Sequence, residues 1–103
     1  MRVREYVALD GSVPFKKWFD GLNPLAAAKV STALVRIELG NTSNIKWFSG
    51  LGEYVIDWGP GYRIYLFQEG EDLIVLLGGG TKSQQKRDID RARKLLSEHR
   101  SRR

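Results

Sequence analysis

The sequence predicts an α+β domain. Three observations carry that reading. One strand-like segment opens the chain, two stretches with apolar residues at helical spacing follow, and the remaining apolar runs are short, separated by glycine turns and closed by a final helix. Helices segregated from consecutive hairpins argue against a doubly wound parallel sheet. At 103 residues the chain is one domain, 1–103, with neither internal repeat nor linker.

Val3 to Leu9 reads as the first strand, with Val3, Tyr6 and Val7 as strand formers. Ser12 is placed to cap a short helix with Pro14 in its first turn and Gly21 at its end; Phe15, Trp18 and Phe19 form its apolar face. Asn23-Pro24 opens a second helix in the same way, with Ala26, Val30, Ala33, Leu34 and Ile37 on one stripe and Gly40-Asn41 as the stop. Ile45 to Phe48 is a short strand. Glu53 to Trp58 alternates, Gly59-Pro60-Gly61 turns, and Tyr62 to Gln68 returns. Leu73 to Leu77 is apolar throughout and predicts a strand covered on both faces. Gly78-Gly79-Gly80 is expected to leave the sheet, and a last helix to run from about Gln84 to Glu98 with Ile89, Ala92 and Leu96 inward.

Composition narrows the function. There is no cysteine, and His99 is the single histidine, so thiolate metal sites are excluded and no metal site is expected. Met1 to Leu9 holds no apolar stretch of signal-peptide length, and the longest apolar run, Leu73–Leu77, is far too short for a bilayer; a cytoplasmic protein without membrane contact is expected. The net charge of +5 is unevenly spread. From Lys82 onward nine Lys and Arg face three acids, giving +6, whereas the first 81 residues carry −1. A basic end on a neutral body suits an anionic partner such as RNA; it also suits a solvated helix with a basic tail from about residue 97, where Arg100, Arg102 and Arg103 are expected to fray.

Pairing Trp58 with Tyr62 across the turn sets Asp57 opposite Arg63, Ile56 opposite Ile64 and Val55 opposite Tyr65. Tyr54, Ile56, Trp58, Tyr62, Ile64 and Leu66 then share an apolar face, and Asp57, Arg63, Tyr65 and Phe67 an open one. On that open face Arg63 suits a phosphate and Tyr65 a stacked base; Asp57 and Arg63 also read as a plain cross-strand ion pair. The run from Gly78 to Lys86 has the wrong spacing for a Walker loop. It is either an anion-approaching turn with Lys82 and Lys86 beside it or a connector with Ser83 as a cap. Trp18 and Trp58 fall on core faces; Trp47, beside Lys46, is placed near an edge. His99 sits at a helix end, where the dipole favours it.

Gly59-Pro60-Gly61-Tyr62-Arg63-Ile64-Tyr65, then Ile74 to Leu77, then Lys82-Ser83-Gln84-Gln85 with Asp88-Ile89 and Ala92, resemble the RelE/HigB toxins, most nearly the branch called addiction-module killer protein. Phe15 to Leu22, the Ala-rich helix ending at Asn41, and Lys46 fit the same pattern, so the resemblance spans residues 5 to 97. It implies a small antiparallel-rich RelE-like sheet with two N-terminal helices packed on it and a C-terminal helix. It also implies the toxin of a type II toxin–antitoxin module: a metal-independent endoribonuclease that cuts mRNA on translating ribosomes, without a small-molecule cofactor. The implied partners are a helix-turn-helix antitoxin, mRNA and the ribosome.

Arg63 matches the family's phosphate-holding arginine, Lys82 a basic position after the last strand, and Lys46 a lysine before the hairpin. The sequence departs from some members of the family on Tyr54-Val55-Ile56-Asp57, where those carry basic residues. Cleavage by a ribose 2′-OH needs a base, phosphate stabilisation and an acid. The candidate catalytic set is therefore Arg63 and Lys82 for charge, Lys86 as a further charge or as acid, and Asp57 as base if not locked to Arg63. Lys46, Tyr65, Arg87 and Arg91 are the candidate RNA contacts. Two other functions fit less of the pattern: a ParE-like gyrase poison of the same superfamily, and a non-catalytic nucleic-acid-binding domain.

Overall fold

Asn23 caps the longest N-terminal helix as its sequence demands: its Oδ1 accepts from the Ala26 N–H at 2.9 Å, and Pro24 occupies the first helical position. In the computed structural model, which describes residues 1–102, that helix is α2 (Pro24–Glu38). Before it come β1 (Arg2–Glu5) and α1 (Pro14–Asp20). After it come β2 (Ile45–Phe48), β3 (Leu51–Ile56), β4 (Tyr62–Glu69), β5 (Leu73–Thr81), a 3₁₀ turn (Lys82–Gln84) and α3 (Gln85–Ser101). Arg103, the end of the expected tail, lies outside the described residues.

The protein is an α+β domain built on one five-stranded mixed sheet of order β1-β5-β4-β3-β2. β2 to β5 form an antiparallel meander, and β1 joins β5 in parallel at the edge. α1 and α2 pack on one face, where Phe15, Val30, Ala33 and Ile37 meet Ile45, Tyr54, Ile64, Leu66, Ile74 and Leu76. α3 covers the other face, where Ala92 and Leu96 meet Leu51, Tyr65, Phe67, Val75 and Leu77. β5 is therefore buried on both sides, as its continuous apolar run predicts. No helix among the described residues is long and apolar enough to cross a membrane.

Several local expectations are corrected. β1 ends at Glu5 rather than Leu9. Ser12 does not cap α1: its N–H and hydroxyl both donate to Asp10, and Val13 stands at the cap position. Ser83 lies in the 3₁₀ turn and caps nothing; Gln84 precedes α3 without a side-chain cap bond. α3 continues to Ser101, past Glu98, because its last turns are tied down. Arg102 Nη1 donates to the Val7 carbonyl at 2.9 Å and the Tyr6 hydroxyl at 3.2 Å, and His99 Nε2 lies 3.1 Å from Glu69.

The central hairpin has a different register. Ile56 pairs with Tyr62, Val55 with Arg63, Tyr54 with Ile64 and Glu53 with Tyr65. The loop is longer than Gly-Pro-Gly because Trp58 leaves the strand: the Gly61 N–H donates to the Trp58 carbonyl at 3.1 Å, and the indole stacks on Tyr62 at 6.1 Å. The difference from the expected pairing is two residues. An even slip keeps every side chain on its face while changing its partner. The apolar face of Tyr54, Ile56, Tyr62, Ile64 and Leu66 thus stands, while Asp57 loses its place opposite Arg63.

The triple glycine does not leave the sheet. Gly78, Gly79 and Gly80 pair with Tyr65, Ile64 and Arg63 inside β5, after a bulge beside Tyr65 and Leu66. A side chain at Gly79 would enter the Trp18 ring, and one at Gly80 the Asp88 carboxylate. Glycine here admits neighbours from α1 and α3 to the bare backbone.

Candidate functional site

Arg63 leaves β4 on the α3 side of the sheet. Its Nη1 donates to the Gly61 carbonyl at 2.8 Å, and its Nε lies 3.8 Å from Glu53 Oε2. Glu53 is buried on β3 and also accepts from Gln85 Nε2 at 2.8 Å, which fixes the start of α3 to the sheet. A buried carboxylate with an arginine on one side and an amide on the other is compensated. It faces the guanidinium as a charge without a hydrogen bond, and the Gly61 carbonyl fixes the Arg63 orientation.

Lys82 joins Arg63 through the turn. Its N–H donates to the Pro60 carbonyl at 3.4 Å. A Cβ placed on Gly61 would stand 2.9 Å from Arg63 Nη1 and 3.4 Å from the Lys82 Cβ. The Arg63 guanidinium and the root of the Lys82 side chain therefore flank one glycine, which holds φ +73°. Lys46 is exposed on β2 opposite Glu53, in the cross-strand row that continues to Tyr65.

The other candidates are scattered. Asp57 is exposed in the hairpin loop, with no ion pair to Arg63. Lys86 and Arg87 line a shallow depression on the outer side of α3 with Asp90. Arg91 lines a separate cleft on the β5 side of the helix. Tyr65 is 1% exposed beneath α3, so the face expected to be open is covered and Tyr65 cannot stack on a base. Burial, and then the Glu53 carboxylate, push its phenol well above the ordinary value.

Part of the basic C-terminal segment is structural. Arg93 donates to the Phe48 carbonyl at 2.9 Å and to the Ser49 carbonyl at 3.4 Å, gripping the β2–β3 turn, and Arg100 packs against Gly50. The +6 of the sequence therefore overstates the charge open to a partner.

Sequence reasoning missed Glu53, Gln85 and the burial of Asp88. Asp88 is 6% exposed, and burial raises its carboxyl above the ordinary range against the pull of Arg91 and Arg87. Gln85 and Asp88 stand three apart at the helix start, a spacing that places both toward the sheet, but nothing local marks the sheet as being there.

The fold and this cluster define a small α+β protein with Arg63 set beside a buried carboxylate at the end of a hairpin and an exposed Lys82 next to the same turn. No family model matches the chain. It is 37% identical over 94 residues, covering 89% of this chain and 95% of the relative, to an uncharacterized protein of Haemophilus influenzae. The chain belongs to the same family as that protein.

Proposed function

We propose that the protein is the toxin of a type II toxin–antitoxin module, a cytoplasmic, metal-independent endoribonuclease that cuts mRNA on translating ribosomes. The observation that carries this reading is the placement of Arg63 and Lys82 on either side of Gly61, with Glu53 behind the guanidinium. A guanidinium fixed by the Gly61 carbonyl, with a mobile ammonium anchored nearby, suits the developing charge of a phosphate in transesterification. The resemblance of the Gly59–Tyr65 and Lys82–Ala92 segments to RelE/HigB toxins supports the same chemistry. It also supports a helix-turn-helix antitoxin as partner.

In the proposed reaction a base removes the 2′-OH proton, O2′ attacks phosphorus, and the P–O5′ bond breaks. O5′ takes a proton from an acid, leaving a 2′,3′-cyclic phosphate and a 5′-hydroxyl. Arg63 holds the phosphate oxygens and Lys82 adds the second positive charge. Asp57 in the hairpin loop and Lys86 on the outer side of α3 do not converge on Arg63, so the base and the acid are left to the RNA and the ribosome. Lys46 and Arg87 guide the RNA backbone.

The test is induced expression without an antitoxin, reading growth and new 5′ ends on an abundant mRNA by primer extension, beside Arg63→Ala. Arrest with new ends, both lost in the variant, is the expected result. Arrest with intact mRNA and altered DNA supercoiling would replace the ribonuclease by a gyrase poison.

A further inference from the structure

The outer face of α2 carries a second apolar stripe that the fold leaves uncovered. Val30, Ala33 and Ile37 face the sheet. Leu25, Ala28, Thr32, Val35 and Leu39 are all exposed, at i, i+3, i+7, i+10 and i+14, with Leu39 at the C-cap still in helical backbone. Leu25, Val35 and Leu39 are 62%, 53% and 74% exposed. A single exposed leucine needs no explanation, but three large apolar side chains on one seam of one helix do. The spacing is that of the a and d positions of a coiled coil over two heptads. The seam is roughly 21 Å long at 1.5 Å per residue.

The flanks of the seam define what it can meet. With Leu25, Thr32 and Leu39 at a, the e positions hold Lys29 and Arg36, and the g positions hold Pro24, Ser31 and Glu38. Both cations are exposed, and the Lys29 Nζ lies 5.4 Å above the Trp58 ring. A second copy of the chain does not answer these charges. With two seams antiparallel, the e flanks face one another, and Lys29 and Arg36 meet the same two cations. With two seams parallel, g faces e, so Pro24 meets Lys29 and Ser31 meets Arg36, while Glu38 faces beyond the helix end. In neither arrangement does an acid reach a cation. A foreign helix with an apolar seam and acidic flanks satisfies both features: it covers Leu25, Val35 and Leu39, and it sets carboxylates beside Lys29 and Arg36.

We infer that α2 docks an amphipathic helix of another protein, apolar along its seam and acidic at its flanks, in a two-heptad pairing along the Leu25–Leu39 stripe. α2 and Arg63 lie on opposite faces of the sheet, so the inference goes beyond the ribonuclease reading and does not depend on it.

The probes are two synthetic three-heptad peptides with leucine at a and d, one with glutamate and one with lysine at e and g. Like charges at e and g keep each peptide from pairing with itself. Each is titrated into the ¹⁵N-labelled full chain, and the α2 amides are followed by NMR. The glutamate peptide is expected to move the Ala28, Val35 and Leu39 signals. It should bind at least about tenfold more tightly than the lysine peptide, because like charges set against Lys29 and Arg36 oppose docking. Added salt should narrow that difference. Val35→Ser combined with Leu39→Ser should keep the dispersed spectrum and weaken the glutamate peptide at least about tenfold. Arg36→Glu should reduce the preference between the peptides. Equal binding of the two peptides, shifts confined to other elements, or no shift at hundreds of micromolar peptide would overturn the inference. Dimerisation of the free chain in sedimentation equilibrium, lost in the double variant, would overturn it in favour of a second copy. Cosedimentation with phosphatidylglycerol vesicles, lost in the same variant, would overturn it in favour of a membrane surface. If the double variant loses its dispersed spectrum, the comparison of the two peptides on the wild-type chain decides.

Discussion

Arg63 and Glu53 form a diagonal pair across the central hairpin: the guanidinium Nε stands 3.8 Å from the carboxylate, although Arg63 is in register with Val55 and Glu53 with Tyr65. Their side chains are only 11% and 5% exposed. Removing one member of such a buried pair strands the other, at a cost of roughly 3–5 kcal/mol. Glu53→Ala is therefore expected to lower stability by about 3 kcal/mol, the low end because Gly61 still accepts from Arg63. Urea denaturation measures this. An unchanged midpoint would mean that the carboxylate does not hold the arginine.

Gly80 and Asp88 are coupled by space. A methyl at Gly80 collides with the Asp88 carboxylate. Gly80→Ala is expected to cost about 1–3 kcal/mol, as overpacking does. In the Asp88→Ala background the same change should cost at least about 1 kcal/mol less. A double-mutant cycle by chemical denaturation checks it, and additivity would show that the contact is not the constraint on this glycine.

Asp88 also sets a pH dependence. Burial raises its native value above the ordinary 3.8. The native state therefore holds the proton more tightly than the unfolded chain, and stability falls as pH rises. The contribution is complete below the ordinary carboxylate value and is lost as pH passes through the native one. Asp88→Asn removes this titration. Its stability relative to wild type is expected to increase from pH 3 upward in denaturation curves taken at successive pH values. A constant difference would rule the linkage out.

The β2–β3 turn carries its own strain. Ser49 has φ +55° and Gly50 φ +83°, the paired left-handed residues of a tight hairpin. Serine tolerates that conformation less well than asparagine. Ser49→Asn is expected to stabilise the protein by about 0.5–1 kcal/mol, and thermal unfolding would detect the gain. The Arg93 contact to the Ser49 carbonyl is a backbone contact and survives the change.

Asn23 offers a test of local capping. Its side chain is the acceptor for the Ala26 N–H, and Asn23→Ala should cost about 1 kcal/mol. Asn23→Ser, which restores an acceptor, should recover most of it. Failure of the serine to rescue would place the effect elsewhere than the cap.

What the sequence by itself determined is local. The spacing of Ala26, Val30, Ala33 and Ile37 specified both the helix and its buried stripe, and Asn23-Pro24 specified where it starts. Alternation along Tyr54–Ile56 and Tyr62–Leu66 specified which side chains share a face, and an unbroken apolar run specified the doubly covered β5. Arg63 and Lys82 were legible as candidate cations, and the tertiary structure placed both beside Gly61.

The partners were decided only in three dimensions. Alternation repeats every two residues, so a two-residue slip satisfies it equally, and only the stacking of Trp58 on Tyr62 and the closed turn before Arg63 select Glu53 over Asp57. Three glycines in a row resemble a connector because the reason for them, Trp18 on one face and Asp88 on the other, is supplied by helices elsewhere in the chain. Tyr65 passes for an exposed ring until α3 folds across its strand. Periodicity is written within each segment, but burial is fixed by whichever distant segment comes to rest on it.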